Sequence, residues 1–296
     1  MSVLHNKGVV DKGEFEVMLT FENIWVHSRR TATSSSSDNA SNNVSNSVTS
    51  VQTNPFTPSN IYQKWSDKLR KTVRSDPILP ADKRVLINGV TGTLLSGQVT
   101  VLTGSSGSGK SVLLRVLAGL LPMSNGDVYL KNDASNVNAS QSIHDTLPTQ
   151  WRTQVALLAQ HPQLLEGSVI DNLKTPYRLQ AHQHLDFDID WHIAQLERLQ
   201  RNADFLQQDT YHLSGGERQL VNTLRLLQLN PQVLLLDEPT AALDIDTSAQ
   251  LVQLLLSWLQ LDTQRTLLWV THDTQDIMPL ANHHWHMQAG VLTEVF

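Results

Sequence analysis

The feature that most restricts the fold of this chain is a run of four apolar residues, Val233-Leu234-Leu235-Leu236, closed by two adjacent carboxylates, Asp237 and Glu238. A strand so uniformly apolar has no solvent face and belongs inside a parallel sheet covered on both sides. Two carboxylates at its end are costly unless something cationic meets them there. The same kind of unit recurs along the chain. Residues 99–103 form an apolar run that leads into a helical pattern reaching Leu121, and residues 267–270 follow a helix with Leu251, Leu254, Leu255 and Trp258 on one face. Another stripe, Leu220, Val221, Leu224 and Leu227, is ended by Asn230-Pro231. Short apolar strands alternating with helices predict an α/β fold with a mostly parallel core sheet. Ligands of such sheets gather beyond the carboxyl ends of the strands.

The bulk properties limit what else the chain can be. Its 296 residues suit one large α/β domain with additions, or two small ones. The 28 acidic residues outnumber the 22 basic ones, and a net charge of −6 argues against nucleic acid as the main partner. With no cysteine, disulfides, thiolate metal sites and cysteine nucleophiles are excluded. The first residues lack the apolar core of a signal peptide. The longest apolar candidates, 112–121 and 251–261, are short and broken by Arg115, Gln253, Ser257 and Gln260. The chain is therefore expected to be cytoplasmic, soluble or peripheral to a membrane that another chain spans.

Residues 1–14 read as an N-terminal tail, and 15–296 as one domain interrupted by an insertion over 29–80. Within the insertion, 31–60 is rich in Ser, Asn and Thr and is expected to be disordered. At its far end Ile61, Trp65, Leu69 and Val73 recur every four residues among five cations, predicting a basic amphipathic helix over 61–74. Its apolar stripe either packs on the domain or touches an anionic membrane surface.

Gly104-Ser105-Ser106-Gly107-Ser108-Gly109-Lys110-Ser111 follows one of the apolar strands and precedes a helix. The spacing is that of a phosphate-binding loop, in which glycines turn backbone amides toward a polyphosphate and the helix N-terminus adds its positive dipole end. Lys110 is placed to reach the β- and γ-phosphates, and the Ser111 hydroxyl to ligate Mg2+. Asp237 is placed to hold the metal's shell, and Glu238 to orient and polarise the attacking water. Taken alone, an acidic pair at a strand end is usually just solvated. Ser214, Gly215 and Gly216 open a helix and form a second anion site. One nucleotide has no use for two such distant sites in one chain, whereas two chains facing head to tail do.

With Leu213-Ser214-Gly215-Gly216-Glu217-Arg218-Gln219 in place, the chain resembles the ATP-binding cassette family, whose signature is LSGGQ-like, over about 19–28 and from 85 to the end. The resemblance implies a P-loop NTPase fold with a mostly parallel core sheet, an antiparallel β-subdomain and a helical signature subdomain, here over 162–213. It implies ATP and Mg2+ as ligands and a homodimer of cassettes closed by ATP. By the same resemblance Gln160 is the glutamine that senses Mg2+ and the membrane partner, and Asp244 lies at the dimer interface. His272 matches the histidine that contacts the γ-phosphate. The runs 158–173 and 268–273 are similar to small bacterial FetA-type (YbbL-like) cassettes, associated with iron export. The expected partner is a separate polytopic permease, with the chain peripheral on the inner face of the cell membrane. The rival expectation is a soluble cassette ATPase, such as an assembly scaffold.

Two positions depart from the family pattern. Val112 stands where a threonine commonly follows the loop, so its amide, but no hydroxyl, can serve the α-phosphate. No aromatic residue stands at the usual adenine-stacking position; His27, Tyr62 and Trp65 are the candidates. His283, His284 and His286 flank Trp285, where a metal site and a plain surface hairpin, turning at Ala289-Gly290, are the two readings.

Overall fold

In a computed structural model, the residues described are 16–28, 84–131, 140–241, 243–272, 275 and 277–296. The expected tail, disordered segment and basic helix over 61–74 lie outside them, as do Tyr62 and Trp65.

Strands β1 (Val17–His27), β2 (Val85–Leu95), β4 (Asn125–Lys131) and β5 (Ser140–Ser142) form an antiparallel sheet in the order β2-β1-β4-β5. The second sheet holds β3 (Val99–Thr103), β6 (Val155–Leu158), β7 (Val233–Asp237), β8 (Thr266–Val270), β9 (His283–Gln288) and β10 (Val291–Glu294). Its order is β10-β9-β3-β8-β7-β6, parallel throughout except for β10. The helices are α1 (Lys110–Leu117), α2 (Pro148–Gln154), α3 (Val169–Lys174), α4 (Ile189–Arg198), α5 (Gly215–Leu227) and α6 (Ile245–Gln260).

The parallel sheet sorts its side chains into two cores by strand alternation. Val99, Val101, Leu234, Leu236, Leu267 and Trp269 join one core with α5, α6 and the helical segment. Leu102, Val233, Leu235, Leu268 and Val270 join the other, with α1, the antiparallel sheet and Trp151. Every residue of β7 and β8 is buried, as the apolar runs required. Each buried leucine contributes about 1.5–3 kcal/mol of transfer free energy.

Two expectations need correction. The helix after the glycine loop ends at Leu117 rather than reaching Leu121. Gly119, at φ 66°, reverses the chain, and the amides of Gly119 and Leu120 bond back to the Val116 and Arg115 carbonyls. The C-terminal histidines do not sit on a surface hairpin. The turn at Ala289 and Gly290 forms, with both φ positive, but β9 is an inner strand paired with β3, and Trp285 and Met287 are buried. His284 Nε2 and His286 Nδ1 lie 2.8 and 3.2 Å from the Thr103 hydroxyl. Among the described residues no three His, Cys, Asp or Glu side chains are grouped to hold a metal.

Trp151 fastens the end of α1. It is fully buried, and its indole N–H donates to the Leu117 carbonyl at 2.8 Å. Trp151→Phe leaves that helix-end carbonyl unpaired and should cost about 1–3 kcal/mol in urea unfolding. A loss below about 0.5 kcal/mol would show the bond to be dispensable.

Candidate nucleotide site

Helix α1 begins at Gly109, which is left-handed at φ 113° and offers no capping side chain. No acidic residue lies in its first turn. Its first amides are therefore unpaired by any capping side chain and carry no acid of the helix's own, a condition that suits an anion. The loop before it needs its glycines for different reasons. Gly104 has φ 142°, and a Cβ there would lie 2.1 Å from the Met287 carbonyl oxygen. Gly107 has φ 75° but open space around it. Ser105 and Ser106 are exposed, while Ser108 is buried and its carbonyl accepts from the Gly290 amide. Val112 packs its apolar side chain against the second core.

The ends of β6, β7 and β8 bring four further residues to this loop: Gln160, Asp237, Glu238 and His272. The Ser111 hydroxyl donates to Asp237 at 3.1 Å. Glu238, the residue after β7, sits at φ 50°, a conformation that costs a non-glycine residue of order 1 kcal/mol or more. Its amide still donates to the Val270 carbonyl, so the ladder with β8 holds the residue in place. Its carboxylate receives His272 Nε2 at 2.9 Å on one oxygen and the Gln160 amide N–H at 2.9 Å on the other. His272 Nε2 also lies 3.5 Å from Lys110 Nζ. An imidazole that donates through Nε2 to Glu238 has no lone pair left there for Lys110, so the second contact is the weaker. Lys110 instead donates to the carbonyls of Gly104 and Ser105, at 2.7 and 3.0 Å. Burial pulls the Lys110 ammonium below its usual pKa, and the nearby Glu238 and Asp237 partly restore it.

Lys110, Ser111, Gln160, Asp237, Glu238 and His272 thus converge from four parts of the chain. Ser214, Gly215 and Gly216 do not join them. Among the described residues no hydrogen bond or ion pair links those three to the cluster. Ser214 caps α5, its hydroxyl accepting from the Glu217 amide while the Glu217 carboxylate accepts from the Ser214 amide. This capping box leaves the Gly215 and Gly216 amides unused by side chains. The neighbour of Gly216 is Leu243, beside Asp244, which caps α6 by accepting from the Thr247 amide and hydroxyl, each at 2.8 Å. Those bonds hold the Asp244 carboxyl below its usual pKa. His27 stacks on Trp25, with ring centroids 6.3 Å apart.

A backbone clash such as that at Gly104 cannot be read from a motif, and neither can the resting bonds of Glu238. Both depend on strands far away in sequence, β9 in one case and β8 in the other.

This arrangement is that of a candidate nucleotide site, and likeness to known proteins points the same way. The ABC transporter family model matches residues 87–241. The probable iron export ATP-binding protein FetA of Escherichia coli (strain K12) is 32% identical over 204 residues, covering 67% of this chain and 83% of that protein. The methionine import ATP-binding protein MetN 1 of Pseudomonas putida is 33% identical over 210 residues; the match covers 70% of this chain and 60% of the relative. Among solved structures, the ATP-binding cassette MJ0796, a dimer in a post-hydrolysis state bound to ADP and Pi, superposes with TM-score 0.65 at 18% identity. That match covers 94% of this chain and 99% of the other, and it speaks for the fold. The chain belongs to the ABC transporter family. It is an ATP-binding, ATP-hydrolysing cassette of that family, the kind of subunit that energises a membrane partner. Among its described residues no helix is long and apolar enough to cross a membrane.

Gly104→Ala should weaken binding of a fluorescent ATP analogue by more than about tenfold, since a 2.1 Å approach to backbone forces β9 or the loop to move. Unchanged affinity would mean that the loop need not keep this shape to bind.

Proposed function

We propose that two copies of this chain face each other head to tail, each binding ATP with Mg2+ between its own glycine loop and the Ser214 helix of the other. The observation that carries the reading is the division of the site. The glycine loop and the Glu238 cluster supply cation, hydroxyl, carboxylates and imidazole, while the free amides of Gly215 and Gly216 stand apart. A γ-phosphate held from both sides uses the two sets together.

The residues suit Mg2+. Ser111 and Asp237 already face each other as hard oxygen donors, and Gln160 donates through its nitrogen, which leaves its amide oxygen for a cation. Mg2+ held there would neutralise charge on the β- and γ-phosphate oxygens. Lys110 leaves the loop carbonyls for the same oxygens. The loop amides from Gly104 to Val112 cradle the phosphates. Glu238 orients a water for attack on the γ-phosphorus and takes up its proton as the bond to the bridging oxygen breaks, releasing ADP and phosphate. His272 steadies the γ-phosphate. For this, nucleotide must release Glu238 from His272 and Gln160. Asp244, at the turn beside Gly216, lies at the face between the two copies, next to the exposed Ile245.

The closing motion passes through Gln160 and the helical segment 162–213, proposed as the helical subdomain, to a separate polytopic permease. That reading puts the chain in the cytoplasm, peripheral on the inner face of the membrane. The likeness to FetA supports metal, and specifically iron, as the exported cargo. The net charge of −6 speaks against nucleic acid.

Glu238→Gln should keep ATP binding, lose about 100-fold or more of turnover, and elute as a dimer in gel filtration with ATP. Full activity in that variant contradicts the assignment of the base. Ser214→Arg should bind ATP as a folded monomer and fail to dimerise; a normal ATP-driven dimer would contradict the head-to-tail arrangement.

A further inference from the structure

The two helix N-termini proposed to meet the γ-phosphate differ in charge. Helix α1 has no acid in its first turn, whereas α5 carries Glu217 there. Glu217 is useful to the folded monomer, because its carboxylate accepts from the Ser214 amide at 2.9 Å and closes the capping box. It is a liability toward a polyphosphate. A full negative charge in the first turn opposes the helix dipole at the place where an anion must dock.

One cation meets it among the described residues. The Arg201 guanidinium lies 4.0 Å from the Glu217 oxygen not used in the capping box. Arg201 is held there by its backbone. Helix α4 ends in a Schellman turn in which Gln200 takes the left-handed conformation at φ 55°. The amides of Gln200 and Arg201 donate to the carbonyls of Glu197 and Leu196, at 3.0 and 2.8 Å. The Arg201 Nε is buried and has no hydrogen-bond partner, so the side chain is not committed elsewhere through that atom. Two local motifs, a helix stop and a helix start, thus set the Arg201 guanidinium against an acid 16 residues further along the chain.

We infer that Arg201 is a positioning residue for the ATP-bound dimer: it offsets the charge of Glu217, so that α5 keeps its capping box and still accepts the partner copy's γ-phosphate. This rests on the reading that the Ser214 helix meets that phosphate.

The test is a charge cycle in the Glu238→Gln chain, with ATP-driven dimerisation followed by analytical ultracentrifugation. Arg201→Ala should raise the ATP concentration for half-dimerisation about threefold to tenfold. Arg201→Lys should restore most of it. Glu217→Gln keeps an oxygen acceptor for the Ser214 amide without the charge, so Arg201→Ala combined with Glu217→Gln should return to within about twofold of the parent. The penalty should also shrink in 1 M salt, where screening acts over about 3 Å. A penalty that persists undiminished beside Glu217→Gln, or no penalty at all, overturns the role of Arg201. A Glu238→Gln parent that never dimerises with ATP removes the head-to-tail reading, and this inference with it.

Discussion

The hydrogen bond from Ser111 to Asp237 joins two parts of the chain 126 residues apart, and the rest of the site is arranged around it. It exists because β3 and β7 both run parallel and end at the same edge of one sheet, with only β8 between them. Each strand is apolar to its last residues and then turns abruptly polar. The helix that follows β3 opens without a cap, and the strand end of β7 offers two carboxylates. A buried sheet cannot keep those charges to itself, so the edge is a place where a cation and a polyphosphate lower the free energy.

The same edge explains the resting state of Glu238. Its backbone is held in a left-handed conformation by the bond from its amide to Val270, and its carboxylate is shared between His272 and Gln160. Glu238 is preorganised by the sheet but engaged by neighbours from two different loops. In the proposed mechanism nucleotide binding is an exchange of partners, and the residues that give up Glu238 are the ones able to report the exchange to the remainder of the molecule.

Much of this was legible in the sequence, for a local reason. The glycine loop, the carboxylate pair and the Ser214 cap each lie within eight consecutive residues, and their chemistry is written in residue type and spacing. A capping box at Ser168 and Asp171, within the 162–213 segment, forms for the same local reason. What was not legible depends on register between distant strands. That β9 enters the sheet beside β3, placing His284 and His286 on Thr103, follows from pairing that no local periodicity encodes. Its sequence reads equally well as an exposed hairpin. The end of α1 is not written in the periodicity, because apolar residues continue past Gly119 and the positive φ of that glycine turns the chain away from the helix. The pairing of Arg201 with Glu217 likewise needs both helix ends in place before either residue means anything to the other.

The absence of cysteine from the chain makes the central claim directly accessible. One copy carrying Ser105→Cys in the glycine loop and another carrying Tyr211→Cys, at the exposed residue just before the Ser214 helix, are mixed in the Glu238→Gln background and treated with a short bismaleimide. If each γ-phosphate is held between the loop of one copy and the Ser214 helix of the other, ATP should produce the mixed Ser105–Tyr211 cross-link, and nucleotide-free protein should not. Cross-links only between like positions, or a mixed cross-link indifferent to ATP, would contradict a shared site.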